Sequence, residues 1–340
     1  MKPYRLHTID ALRGFASLAV CWFHLTSGYA ENSQVRSSGS YGWLGVEVFF
    51  VLSGFIIPFA MYSGGYTFRG GWKTFISKRI LRIEPPYLVT ILLVFALWHL
   101  SSMAPGFKGS PPPDFISMQT LLHVGYLAGV AGHPWLNPVF WTLAIEFQFY
   151  LLVSLIFGWL QHRTTQIILL IDLILLLTSL LLSSELFVFR FLGLFVLGIV
   201  AFQYQIKLLT GKITATLLIA TTLTIGLSLG WMIALVGLMT SILIALNVSL
   251  GNHKITAWLG AISFSLYLIH IPIGGRLVNL GKRYIESQVG ELFLSILALG
   301  LSLIVAHIFY LVIERPSQHL AAQLKYTNPV VNQPHQRHAR

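Results

Sequence analysis

The stretch TIDALRGFASLAVCWFHLTSG, residues 8–28, carries Arg13 and His24 within an otherwise apolar run. An α-helix advances about 100° and about 1.5 Å per residue. The eleven steps from Arg13 to His24 close three turns with about 20° to spare, so both side chains share one face about 16 Å apart along the axis. Asp10, three residues before Arg13, and Ser17, four after it, fall on the same stripe. A guanidinium deep in a bilayer costs about 2.5–3.5 kcal/mol on insertion scales. A chain bears that cost when the stripe faces protein or a wet cavity, and this face reads as the wall of a buried active site. The plainer alternative has Arg13 snorkelling to one interface and His24 resting at the other.

Other groups carry chemistry at comparable spacing. In FISKRILRIEPPY, residues 75–87, Lys78, Arg79 and Arg82 cluster just before a helix expected to start near Pro85. Arg79 and Arg82 share a face if helical, and paired guanidiniums suit phosphate recognition. An ordinary headgroup-facing basic cluster is the competing reading. In WTLAIEFQFYLL, residues 141–152, Thr142, Glu146 and Tyr150 recur every four residues, beside Trp141. An intramembrane carboxylate is a functional candidate, or a structural ion pair with Arg13 or Arg190. In SFSLYLIHIP, residues 263–272, Ser263, Tyr267 and His270 fall on one face, and Pro272 is expected to break the helix. His270 lines a cavity or is a hydrogen-bonded interface histidine. In GVEVFFVLSGFII, residues 45–57, Glu47 opens a span and Ser53-Gly54 places small residues where helices approach closely. Cys21 lies three residues before His24, but a free cysteine is more often a small buried hydrophobe.

These groups need elements to hold them, and the composition says which kind. Of the 340 residues, 55% are hydrophobic and 10% charged, against about 25% charged in soluble domains. Mean hydropathy is +0.74. The expected fold is therefore an all-α polytopic membrane bundle. Ten spans are placed at 8–28, 43–63, 85–102, 140–159, 167–183, 187–205, 213–229, 231–250, 256–275 and 290–312. One domain, residues 1–325, is followed by a polar tail, 326–340, expected to be disordered. Arg13 interrupts the first apolar run, so that run is expected to stay as an anchor and not be cleaved as a signal. The loop 103–139 opens on the proline-rich APGFKGSPPPDF and continues as an apolar half too short to span.

An even number of spans puts both termini on one side. Taken as cytoplasmic, that side holds fifteen of the 22 Lys and Arg residues, the other side five, and Arg13 and Arg190 lie within spans. The positive-inside rule supports this orientation. It also accounts for the net charge of +11 without a nucleic-acid partner. A single cysteine excludes an internal disulfide framework and a cysteine-rich metal site, and no metal is expected.

Taken together and in order, IDALRGFASLAVCWFH, GVEVFFVLSGFII, KRILRIEPPY, WTLAIEFQFY, RFLGLFVLG, ISFSLYLIH and IERPS resemble the acyltransferase-3 family of integral membrane acyltransferases. The resemblance covers nearly the whole chain. It implies a bacterial cytoplasmic (inner) membrane protein of about ten spans. It implies an acyl group, most often acetyl, taken from cytoplasmic acyl-CoA as co-substrate, with no permanently bound cofactor, and passed to a hydroxyl of a cell-surface or exported carbohydrate. The family's essential arginine and histidine of the first span correspond to Arg13 and His24. Its R-x-x-R pair corresponds to Arg79 and Arg82, and its acidic residue to Glu146. The chain ends soon after Arg315-Pro316, as in relatives without an added extracytoplasmic domain. Glu84-Pro85-Pro86 is a small departure, more acidic than is usual ahead of the proline.

On this reading His24 is the catalytic base, Glu146 orients it, and Arg13 holds donor groups or pairs with Asp10. Arg79, Arg82 and Lys78 dock the donor's phosphates. Ser17, Trp141, Tyr150, Tyr267 and His270 join Asp10 as cavity candidates. A proton-coupled secondary transporter is the alternative from another class, since carriers also use intramembrane His, Glu and Arg. No inverted repeat of the kind many carriers have is visible.

Overall fold

The computed structural model describes residues 7–103, 117–251, 253–285 and 287–326. The proline-rich part of the loop 103–139, from residue 104 to 116, and the tail from residue 327 lie outside the described residues. Among the described residues the chain is helical throughout, with no strands. The helices are α1 His7–Thr26, α2 Gln34–Gly39, α3 Gly45–Ser63, α4 Phe68–Ser102, α5 Met118–Val124, α6 Phe140–Leu160 and α7 Thr165–Leu181. They continue as α8 Leu192–Gln205, α9 Gly211–Ser228, α10 Trp231–Ala245, α11 His253–His270, α12 Arg276–Gly281, α13 Gln288–Phe309 and α14 Arg315–Gln323. Among the described residues, seven helical segments are long and apolar enough to cross a membrane, and α7 and α10 are shorter apolar helices. The segment His7–Thr26 is not among those seven; its polar stripe lowers its hydropathy although it forms an unbroken helix.

Two expectations about helix ends are corrected. The basic segment before Pro85 is not a loop. It is the first half of α4, which runs 35 residues without a break, about 50 Å at 1.5 Å per residue and well beyond a bilayer's hydrocarbon thickness. Pro85 and Pro86 lie inside it, and as prolines they leave the Leu81 and Arg82 carbonyls without their helical donors. Pro272 likewise does not end its helix. The turn Ile271–Gly275 widens to π geometry and the chain continues into α12. A second π turn, Tyr310–Glu314, joins α13 to α14. Tyr326, placed in the tail from sequence, packs edge-on against Tyr66, with ring centroids 5.7 Å apart.

Apolar side chains form two buried clusters. One is built chiefly from α3, α6, α7, α8, α9 and α10. The other draws on α1, α4, α6, α11 and α13. Small residues set the closest approaches. At Gly54 a Cβ would fall on the Phe195 carbonyl oxygen, and at Gly198 on that of Val51, so α3 and α8 cross at backbone contact. A Cβ at Gly260 would lie 2.5 Å from the Asp10 carbonyl oxygen, which presses α11 against α1 at the height of the Arg13 stripe. Val46 and Phe49 pack against both clusters and line the space left between them.

Candidate active site

That space is a cavity of about 120 Å³. Its polar lining comes from every helix singled out above: Arg13 of α1, Ser53 of α3, Arg79 and Arg82 of α4, Thr142, Glu146 and Tyr150 of α6, and Ser263 and Tyr267 of α11. The four-residue rhythm in α6 points one face inward, as its periodicity requires. Phe50, Ile56, Ile83 and Phe264 supply much of the apolar wall.

The charges around the cavity act on one another across helices. Glu146 accepts a hydrogen bond from the Ser53 hydroxyl at 2.7 Å, and its carboxylate lies near Tyr150. Its charge also reaches Arg13 and Arg79. The Arg79 guanidinium lies 5.4 Å from the Phe75 ring centroid and 5.3 Å from that of Tyr150, within cation–π range. Arg13 sits within reach of the charges of Arg82, Glu314, Asp10 and Glu146. Three guanidiniums thus converge on one cavity with Glu146 and Glu314 in its wall, a surplus of positive charge in a confined space. Such a site favours an anionic guest.

Glu314 is the residue that reading the sequence missed. It is 1% exposed, accepts from the Ser265 backbone N–H at 3.1 Å and hydroxyl at 2.5 Å, and takes a third bond from the Gln318 amide at 2.8 Å. It sits at the end of the second π turn and lines the cavity. Its signal was present in the closing IERPS motif, which entered the resemblance without a role for this acid.

Several predicted residues lie elsewhere. Ser17 is buried, but its hydroxyl donates to the Gly14 carbonyl of its own helix at 2.9 Å, and it is not among the cavity-lining residues. Trp141 packs against Phe50 and Phe191, with centroids 6.2 and 5.6 Å away, and lines a second, smaller cleft with Trp135 and Tyr126. The Lys78 ammonium lies 5.4 Å from the Tyr326 ring centroid. Asp10 supports the charge of Arg13 from one turn earlier. Arg190 pairs with Glu185 at 3.3 Å, and Glu146 keeps the partners named above.

His24 stands apart from the arginines, as the 16 Å rise along α1 dictates. Its ring neighbours are Phe23, with centroids 5.0 Å apart, and His270, at 5.3 Å. Tyr267 links this histidine pair to the cavity. Its ring is 6.1 Å from that of His270, and its hydroxyl is 2.7 Å from that of Thr142 in the cavity wall. Glu146 therefore serves the arginine end of the site, and the partner beside His24 is His270. Among the described residues no group of three or more His, Cys, Asp or Glu is placed to hold a metal.

Comparison with known proteins adds an independent line. O-acetyltransferase OatA of Staphylococcus aureus is 29% identical over 167 residues, 48% of this chain and 26% of OatA. A putative acetyltransferase, ORF330 of Acidianus two-tailed virus, is 33% identical over 152 residues, 44% of this chain and 40% of that protein. Acyltransferase MdmB of Streptomyces mycarofaciens is 29% identical over 159 residues, 44% of this chain and 38% of MdmB. The matched part thus spans well under half the length of these relatives. No solved structure matches. The family model described as "Acyltransferase domain" matches residues 6–311, and with nearly every helix inside that match the chain belongs to the acyltransferase-3 family.

Proposed function

We propose that this protein is a membrane O-acyltransferase that moves an acyl group, acetyl in the first instance, from cytoplasmic acyl-CoA to a hydroxyl of a cell-surface or exported carbohydrate. The proposal includes ten spans with both termini in the cytoplasm of a bacterial cell, in its cytoplasmic membrane. The observation that carries it is the convergence of Arg13, Arg79 and Arg82 on one cavity, with a histidine farther along the same helix as Arg13. Family membership takes the ground from the carrier reading.

In this scheme the donor's phosphates rest on Arg79 and Arg82, which suit bidentate binding. The stacking of Arg79 on Phe75 and Tyr150 holds its guanidinium in place before the donor arrives. The pantetheine arm enters the cavity and carries the thioester toward Tyr267 and His24. The acceptor hydroxyl then attacks the thioester carbon. His24 takes the hydroxyl proton, the carbon–sulfur bond breaks, and the proton passes to the departing thiolate. The products are an ester and the CoA thiol. General-base help of this kind is worth about 10²–10⁴ in rate. Glu146, Glu314 and Asp10 hold the arginines apart and in register.

The test is transfer of labelled acetyl from acetyl-CoA to the carbohydrate fraction of membranes containing the protein. The wild type should label that fraction, and His24→Ala should not, although it is inserted to the same level. An unlabelled wild type, or a His24→Ala protein that labels equally well, would overturn the proposal.

A further inference from the structure

His270 is fully buried. Its Nδ1 lies 2.9 Å from the Leu266 carbonyl oxygen. A carbonyl only accepts, so Nδ1 carries the proton, and Nε2 of the neutral ring is left with a lone pair. That nitrogen is buried and has no hydrogen-bond partner. An unmet buried acceptor is normally selected against, because it forfeits water and gains nothing in return.

The ring beside it is His24. The two centroids are 5.3 Å apart with planes tilted by 42°. A ring atom of imidazole lies about 1.2 Å from its centroid, so nitrogens turned toward each other would be about 3 Å apart, an ordinary N–H···N distance. Of the other rings here, Phe23 carries no polar atom and Tyr267 has its hydroxyl engaged with Thr142. The π turn that follows His270 brings Gly274 against Leu25 of α1, where a Cβ would stand 2.8 Å from that side chain. The turn therefore clamps the end of α11 to the end of α1, next to the two histidines. Wide turns of this kind recur at functional sites.

We propose that His270 is a positioning residue for His24. Its Nε2 accepts the N–H of His24 after a small rotation of the His24 ring. This fixes the tautomer of His24 and leaves the second nitrogen's lone pair for the acceptor hydroxyl. When His24 takes up the proton, the same bond becomes charge-assisted and strengthens. The pairing therefore favours the transition state over the resting enzyme. A neutral imidazole does here what a carboxylate does in other catalytic histidine pairs, without adding a charge to the site. The inference rests on the acyl-transfer reading for its role in turnover, but the pairing itself does not.

Two variants of the full chain separate acceptor from bulk. His270→Gln keeps a neutral acceptor near the position of Nε2, and His270→Phe keeps volume without one. Nitrogen-15 spectra of histidine-labelled protein report the His24 tautomer directly. The wild type should show a single His24 tautomer, His270→Phe a mixture, and His270→Gln the wild-type form. With acetyl-CoA as donor and native membranes as acceptor source, His270→Phe should lose about 100-fold in kcat at unchanged KM for acetyl-CoA, and His270→Gln should recover most of it. A mixed tautomer in the wild type, or a single one persisting in His270→Phe, would overturn the inference. So would equal rates for the two variants. A wild type that transfers nothing would instead remove the acyl-transfer reading, and the spectra would still decide the pairing.

Discussion

Filling the cavity should stop transfer without unfolding the protein, and Ser263 is the place to do it. Its side chain is buried, lines the cavity, and bonds only back to the Gly260 carbonyl at 2.8 Å. In Ser263→Leu one oxygen is replaced by three carbons, a net gain of two water-sized groups or about 60 Å³ at about 30 Å³ each. That is half of the 120 Å³ available. The lost hydrogen bond costs about 0.5–1.5 kcal/mol, and the added carbons return about 0.8 kcal/mol each on burial. The two nearly cancel, so the thermal midpoint should stay at or slightly above that of the wild type. A donor arm displaced by an ångström or more loses about 100-fold in rate. Labelled acetyl transfer should therefore fall by at least that factor in Ser263→Leu and stay near wild type in Ser263→Ala, which removes the hydroxyl without filling the space. A folded Ser263→Leu protein with wild-type transfer would refute the assignment of this cavity to the reaction.

Other expectations follow from single contacts. Glu314→Ala leaves the Ser265 donors unmet and removes a carboxylate from beside Arg13 and Arg82, a change worth about 3–5 kcal/mol for a broken buried pair; the thermal midpoint should drop sharply, and Glu314→Gln should recover part of the loss. Gly54→Leu drives a side chain into the α3–α8 crossing at Phe195 and should cost at least about 1–3 kcal/mol, seen as a lowered midpoint or loss of folded protein after extraction. Tyr150→Phe removes the hydroxyl near Glu146 while keeping the ring beside Arg79; donor affinity should change less than fivefold, whereas Tyr150→Ala should weaken it by more than tenfold, as read by titration with acetyl-CoA.

The sequence carried much of this site because helical periodicity is strict. Thr142, Glu146 and Tyr150 share a face by spacing alone, and all three line the cavity. The same holds for Ser263 and Tyr267, and for the pair Arg79 and Arg82. Ser17 was misplaced because spacing assigns a face but not what that face meets, and its hydroxyl turns back to its own backbone. The length of α4 was hidden by Pro85 and Pro86, which usually mark a start; here the helix passes through them. The partner of His24 was hidden for a different reason. Which histidine meets which acid depends on the heights of helices far apart in the chain, and those heights are set by crossings such as Asp10 on Gly260. Glu314 escaped for the same reason, since its value comes from Ser265, 49 residues earlier.

The central claim is that the arginine cavity receives acyl-CoA, and the most direct measurement is thermal stability of the detergent-purified protein with acetyl-CoA. Bound at 100 times its Kd, the donor should add about 2.7 kcal/mol of apparent stability. The account predicts an upward shift of the midpoint in the wild type that is lost in Arg79→Ala/Arg82→Ala. No shift in the wild type with acetyl-CoA or longer acyl-CoAs, or an equal shift in the double variant, would contradict it.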